Sequence, residues 1–329
     1  MPSQAYNGPP FDLLSFARRG PGRRDQLSPG ELQQVARTVR RTPEVMVKVL
    51  PKSAYSLKAV QKHLAYIGRR GDLDLETDEG ERLRGARVGK DLAEDWDLDL
   101  DEYRRKSELV ATRGREPAKL VHKLIFSMPA GTPPEKVLTA VKNFAREEFA
   151  LKHRYVMTLH TDEPHPHVHV VLKAVSEQGQ RLHIRKATLR EWRSGFAHHL
   201  RELGVAANAT PRYVRGETTL RKPDGIYRAS LRGESTYMRE RAEAIARELA
   251  RGKLQIEPGK ASLVDTRNEV RRAWLAVGNI LIRQRQPELA AHVSRFSDEM
   301  PPPQTEKERL AAGLVAHTRA ARAREGPTH

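Results

Sequence analysis

RYVMTLH (154–160) and HVHVVLKAV (167–175) flank the short polar run TDEPHP (161–166), and this pair decides the fold. Both stretches have the apolar, β-branched character of strands. A parallel crossover needs a dozen or more residues, so six between them force an antiparallel pair. Successive side chains in a strand point to opposite faces, which puts His167 and His169 on one side, about 6.6 Å apart along the chain. Val168, Val170 and Leu172 then fill the other side against a core. His160, at the end of the first strand, is brought back opposite the pair. Of the 13 histidines in the chain, His160, His165, His167 and His169 fall within these ten positions.

Outward from the hairpin, strands and helices alternate. EVMVKVL (44–50) and LVHKLIFSM (120–128) read as further strands. Leu57, Val60, Leu64 and Ile67 recur at three- and four-residue spacing, predicting an amphipathic helix that ends near Gly68. The acidic stretch 73–103 reads as a loop or hairpin followed by a helix. Thr132 with Glu135, and Thr188 with Glu191, are spaced as capping boxes. They open helices carrying Val137, Leu138, Val141, Phe144 and Phe149, and then Leu189, Trp192, Phe196, Leu200 and Leu203. The second of these helices stops at Gly204. The expectation is an α+β domain over 44–216, an antiparallel sheet with helices packed on it. Residues 1–43, rich in Pro, Gly and Arg, read as a basic, mostly disordered arm with one short helix at Ser28–Glu31. Residues 217–329 read as a basic helical C-terminal region.

The 329 residues hold 59 Lys and Arg against 42 Asp and Glu, a net charge of +17. That excess points to a polyanionic partner, nucleic acid first. No apolar run approaches the roughly 18–20 residues of a membrane span, so no membrane insertion is expected. The N-terminal sequence is a poor secretory signal. The absence of cysteine excludes disulfide frameworks, thiolate metal sites and cysteine nucleophiles.

Two imidazoles from one strand and a third from its partner can occupy one face of a metal ion, so His160, His167 and His169 are the expected ligands. His165, bracketed by Pro164 and Pro166, is either a further ligand or substrate contact or a solvent-exposed turn residue. Asp162 either accepts the second ring N–H of a ligand histidine or helps accept a proton in the reaction, the first being the favoured reading. Neutral ligands leave the full double charge of an ion available to polarise a phosphodiester oxygen. This agrees with the polyanion implied by composition.

HTDEPHPHVHVVL resembles the third motif of the relaxases, nucleases of the HUH superfamily, and of their P-type mobilisation branch in particular. VLPKSAYSLKAVQKHLAYIGRRG (49–71) is similar to that branch's first motif, and FSMPAGT (126–132) to its second. The resemblance covers roughly residues 44–216 and implies an HUH endonuclease-like fold. It implies Tyr66 as nucleophile, Ser127 as a DNA contact and Mg²⁺ or Mn²⁺ as cofactor. Tyr55, Tyr103 and Tyr155 are rival phenols. Arg69 and Arg70, within a turn of Tyr66, are expected to clamp flanking phosphates.

The implied activity is the nicking of one strand at a plasmid or integrative-element transfer origin. The product would be a 5′-phosphotyrosyl link, made on single-stranded or locally melted DNA. Accessory relaxosome DNA-binding proteins, a coupling protein and a type IV secretion system are the implied partners. A bacterial cytoplasmic protein that travels with the DNA to a recipient is the implied setting. Replication initiators of the superfamily usually place the histidine strand before the tyrosine helix, and here the tyrosine comes first. A rolling-circle replication or transposition nuclease is therefore the second reading. A basic DNA-binding protein without catalysis is the third.

Overall fold

The computed structural model describes residues 11–17, 24–50, 55–103, 119–218, 226, 229–230, 232–252 and 254–325. The strands are β1 (Met46–Val49), β2 (Leu75–Thr77), β3 (Arg82–Leu83), β4 (Val121–Ser127), β5 (Tyr155–His160) and β6 (His167–Lys173). The helices are α1 (Pro29–Val39), α2 (Leu57–Ile67), α3 (Val88–Asp95), α4 (Pro134–Phe149), α5 (Lys186–Glu202), α6 (Thr236–Ala250), α7 (Lys260–Arg283), α8 (Pro287–Asp298) and α9 (Glu306–Glu325). The chain divides into two units, 41–209 and, counting described residues, 11–40 with 210–325.

In the first unit every strand pairing is antiparallel, in the order β1-β4-β6-β5-β2-β3. This is the expected α+β architecture. The faces of β6 are used differently. Val168, Val170 and Leu172 join Leu124 and Phe126 of β4 in a core with α4 and α5, where the Phe126 ring lies 5.2 Å from Phe144 and 5.3 Å from Phe196. On the opposite face Val171, Val121 and Val156 pack against Val60, Leu64 and Ile67 of α2 and Leu92 of α3. Each buried aliphatic side chain contributes about 1.5–3 kcal/mol, so the apolar stripe of α2 fixes it across the sheet. The acidic stretch forms the expected hairpin and helix, β2–β3 and α3.

Two helix starts differ from expectation. Pro134 follows Pro133, and a residue before proline is excluded from helical geometry, so Pro133 is extended and α4 begins at Pro134 without a side-chain cap. Thr132 instead donates its hydroxyl to the Pro129 carbonyl at 2.9 Å. Helix α5 begins at Lys186, two residues before Thr188, whose hydroxyl accepts from the Arg185 N–H.

The expected arm over 1–43 is corrected for its described residues. Phe11, Leu13, Phe16, Leu27 and Val35 are buried among Val270, Trp274, Val277 and Phe296 of α7 and α8, so they belong to the core of the second unit. Residues 1–10 and 18–23 lie outside the described residues. Ser28 and Glu31 form the predicted capping box of α1. The boundary near 216 also moves, because Val214 is buried in this core and its carbonyl accepts from Trp274 Nε1 at 2.9 Å. Phe16→Ala, at a site 1 % exposed, should cost the second unit about 3–5 kcal/mol. Thermal unfolding of the full chain would show it as one transition moved to lower temperature.

His122, 8 % exposed on the α4–α5 face of β4, faces the Leu182 carbonyl through Nε2 at 3.1 Å, while Nδ1 has no partner. Burial pushes its pKa down to about 4. The unfolded chain therefore binds a proton here that the fold refuses below pH 6.5, and stability falls as pH falls towards 4. Between pH 6.5 and 5 the loss is about 2 kcal/mol. Urea melts of wild type and His122→Phe should diverge in pH dependence over that interval.

Candidate functional site

The face of β6 under α2 carries the site. His160 pairs with His167 and Thr158 with His169 across β5–β6, while Ser127 and Ile125 pair with the same histidines across β4–β6. Ser127, His167 and His160 therefore form one rung across the sheet, and Ile125, His169 and Thr158 the next. The ring centroids of His160 lie 5.2 Å from His167 and 4.6 Å from His169, and the last two are 5.2 Å apart. One ring nitrogen from each of the three lies within 4.8 Å of the others.

The hydrogen bonds fix how two rings present themselves. His160 Nε2 lies 2.7 Å from the Ile67 carbonyl, which can only accept, so Nε2 carries the proton and Nδ1 keeps its lone pair. His167 Nδ1 likewise donates to the His165 carbonyl at 3.1 Å, leaving Nε2 as lone pair. His169 Nδ1 is buried and has no hydrogen-bond partner. Burial lowers the pKa of His160, and burial with the charge of its neighbouring histidines lowers that of His169 to about 3, so both are neutral at pH 7. Backbone acceptors behind two rings and an orphaned nitrogen on the third are what a bound cation requires. The residues fit a metal ion.

Helix α2 supplies the phenol. Ser56 accepts from the Ala59 N–H to start it, and its C-terminal end is tied to the sheet by the His160–Ile67 bond. Tyr66 is 55 % exposed. Arg69 joins the parts. Its guanidinium lies 5.5 Å from the Tyr66 ring and 3.4 Å from His160 Nδ1, and it forms an ion pair with Asp162. Arg69 (φ 50°) and Arg70 (φ 58°) both adopt left-handed backbone, which costs about 1–3 kcal/mol each and is typical of functional turns. Gly71 (φ +106°) closes the turn where an added Cβ would lie 2.6 Å from the Gly85 backbone, so only glycine fits.

The expected residues are thus distributed unevenly. His160, His167, His169, Arg69, Asp162 and Tyr66 converge, and Ser127, 6 % exposed, borders His167. Asp162 holds Arg69, and the ring N–H groups of His160 and His167 go to carbonyls, so the expected Asp162–imidazole contact is replaced by an Asp162–arginine one. His165 is exposed, and its ring is outside the three-imidazole group. Arg70 is exposed. Tyr155 is 2 % exposed in the opposite core. The Tyr55 ring lies 5.9 Å from the Lys119 ammonium, and Tyr103 is 71 % exposed beyond α3.

The sequence reading missed His63. It stacks on Tyr66 at 6.2 Å and meets the His169 ring edge-on at 6.3 Å, with Nε2 buried and unpartnered. Burial, then the charges of Lys123 and His160, pushes its pKa down to about 4. The signal was available, because a residue three before Tyr66 shares its helical face.

Imidazoles from paired strands, facing a helix that presents a tyrosine, are the arrangement expected of a nuclease of the histidine-hydrophobic-histidine class. Residues 77–205 match the family model described as relaxase, MobA/VirD2-like, nuclease domain. Residues 77–205 are thus similar to the nuclease domain of relaxases of the HUH family. The chain is 26 % identical over 144 residues to the T-DNA border endonuclease VirD2 of Rhizobium radiobacter, covering 39 % of this chain and 31 % of that protein. The chain thus spans about a third of the length of the curated relative it matches. A chain from the structure titled "Molecular Basis of Vancomycin Resistance Transfer in Staphylococcus aureus" aligns over 52 % of this chain and 99 % of its own. Its identity is 14 % and its TM-score 0.32, a likeness too weak to argue from. Tyr66 lies before the segment that the family model matches.

Proposed function

We propose that the chain nicks one strand of DNA at a transfer origin by tyrosine transesterification and remains attached to the 5′ end for mobilisation. The observation that carries this is Arg69, which bridges the Tyr66 ring and His160 within a cluster of three imidazoles. His160, His167 and His169 would hold a divalent ion, Mg²⁺ or Mn²⁺. When bound, such an ion supplies positive charge that polarises the phosphodiester.

Tyr66 Oη forms a bond to phosphorus as the bond to the 3′ oxygen breaks. The phenol gives up its proton, and the departing 3′ oxygen gains one as it becomes a hydroxyl. Arg69 offers its charge to the phosphate oxygens, and Asp162 orients its guanidinium. Ser127 contacts the strand beside His167, and Arg70 is free to meet a flanking phosphate. Phosphotyrosyl and phosphodiester linkages are similar in energy, so the reverse attack rejoins the strand.

The tyrosine reaches its phosphate only when the bases are unpaired, which makes single-stranded or melted origin DNA the substrate. The relative's name, a border endonuclease, supports a role in strand transfer. Accessory relaxosome proteins, a coupling protein and a type IV secretion system would then be the partners, with the protein made in a bacterial cytoplasm and carried to the recipient. Among the described residues no helix is long and apolar enough to cross a membrane. The test is incubation with single-stranded DNA and Mn²⁺, followed by denaturing electrophoresis. A protein–DNA band that survives denaturant and is lost with EDTA supports the proposal, and a non-covalent complex alone contradicts it.

A further inference from the structure

Lys123 is a charged residue in an unusual place. It lies on β4 on the face that carries Ile125 and Ser127, opposite Val171 of β6, and is only 5 % exposed. Among the described residues its ammonium has no hydrogen-bond or ion-pair partner, and its charge is felt by His63, whose ring meets that of His169 edge-on at 6.3 Å. The other charge acting on it is Lys119, of the same sign. A largely buried lysine without a counter-charge is costly, and the cost falls when an anion arrives. The next rung on this face holds His169, and the one beyond it holds Ser127, His167 and His160, so the missing anion is assigned to whatever enters the site.

We propose that Lys123 binds a backbone phosphate of the DNA strand flanking the one attacked by Tyr66. The inference rests on the nuclease reading above and adds a specific strand contact to it. A lysine kept only for its apolar stem would behave differently from one kept for its charge. Lys123→Met retains the stem and removes the charge, and Lys123→Arg retains the charge.

The test uses the full chain and a fluorescent mixed-sequence DNA strand of about 30 nucleotides, long enough for several contacts, with anisotropy read across a salt series. Lys123→Met should weaken binding roughly tenfold at low salt. It should also reduce the slope of log K against log salt by about 0.7, the value for one phosphate contact on a single strand. Lys123→Arg should stay within about threefold of wild type. The melting temperature of the DNA-free Lys123→Met protein should be unchanged or higher, because an unpaired buried charge has been removed.

Equal affinity and slope in Lys123→Met and wild type, or a lower melting temperature in Lys123→Met, would overturn the proposal. If wild type forms the covalent adduct while Lys123→Met binds as well as wild type, only Lys123 is misassigned. If wild type binds no single strand, the nuclease reading falls with it.

Discussion

Tyr66→Phe should abolish covalent attachment to DNA, with a loss of at least about 10⁴-fold in nicking rate. The substitution removes one oxygen and leaves the ring that stacks on His63 and faces Arg69. At a position 55 % exposed, its effect on stability should stay within about 0.5 kcal/mol. DNA binding should therefore persist while chemistry stops, a separation that anisotropy and denaturing gels on the same sample would reveal. Neither Tyr155, sealed in the opposite core, nor Tyr103, beyond α3, can replace it.

His169→Ala should have the next largest effect. Of the three imidazoles, His169 has a buried nitrogen with no partner and a pKa pushed down to about 3, so a cation gains a neutral donor there without displacing a hydrogen bond or a proton. A ligand bound only by the folded state stabilises it by about 2.7 kcal/mol at one hundred times its Kd. Wild type should accordingly melt several degrees higher in saturating Mn²⁺, and His169→Ala should show almost no shift. Imidazole nitrogens favour transition ions over Mg²⁺, so Mn²⁺ should raise the melting temperature at lower concentration than Mg²⁺. Calorimetric titration of the two proteins checks both statements. Equal ion affinity in wild type and His169→Ala would remove the histidine cluster from the metal question.

The parts of the fold that could be read in advance were those with a strict period. Two-residue alternation assigned His167 and His169 to one face and Val168, Val170 and Leu172 to the other, and the six-residue turn left only antiparallel pairing. Other features depended on partners distant in sequence. Phe11, Leu13 and Phe16 sit among Pro, Gly and Arg, and only helices some 250 residues later give them a core. Lys123 has no periodic signature that marks it for the site, and the helical spacing of His63 to Tyr66 marks a shared face but not the His169 ring it meets across the site. Asp162 was placed in the site by its spacing, but its partner was set by the left-handed turn at Arg69 and Arg70, which depends on the contact between Gly71 and Gly85.

The most direct test of the tyrosine beside the histidine cluster is mass-spectrometric mapping of the covalent adduct after trypsin and nuclease digestion. Attachment at Tyr66 requires a nucleotide on the peptide HLAYIGR (63–69), with fragmentation placing it on the phenolic oxygen. A nucleotide on His63, on Tyr55 or Tyr103, or on no peptide at all would contradict the assignment.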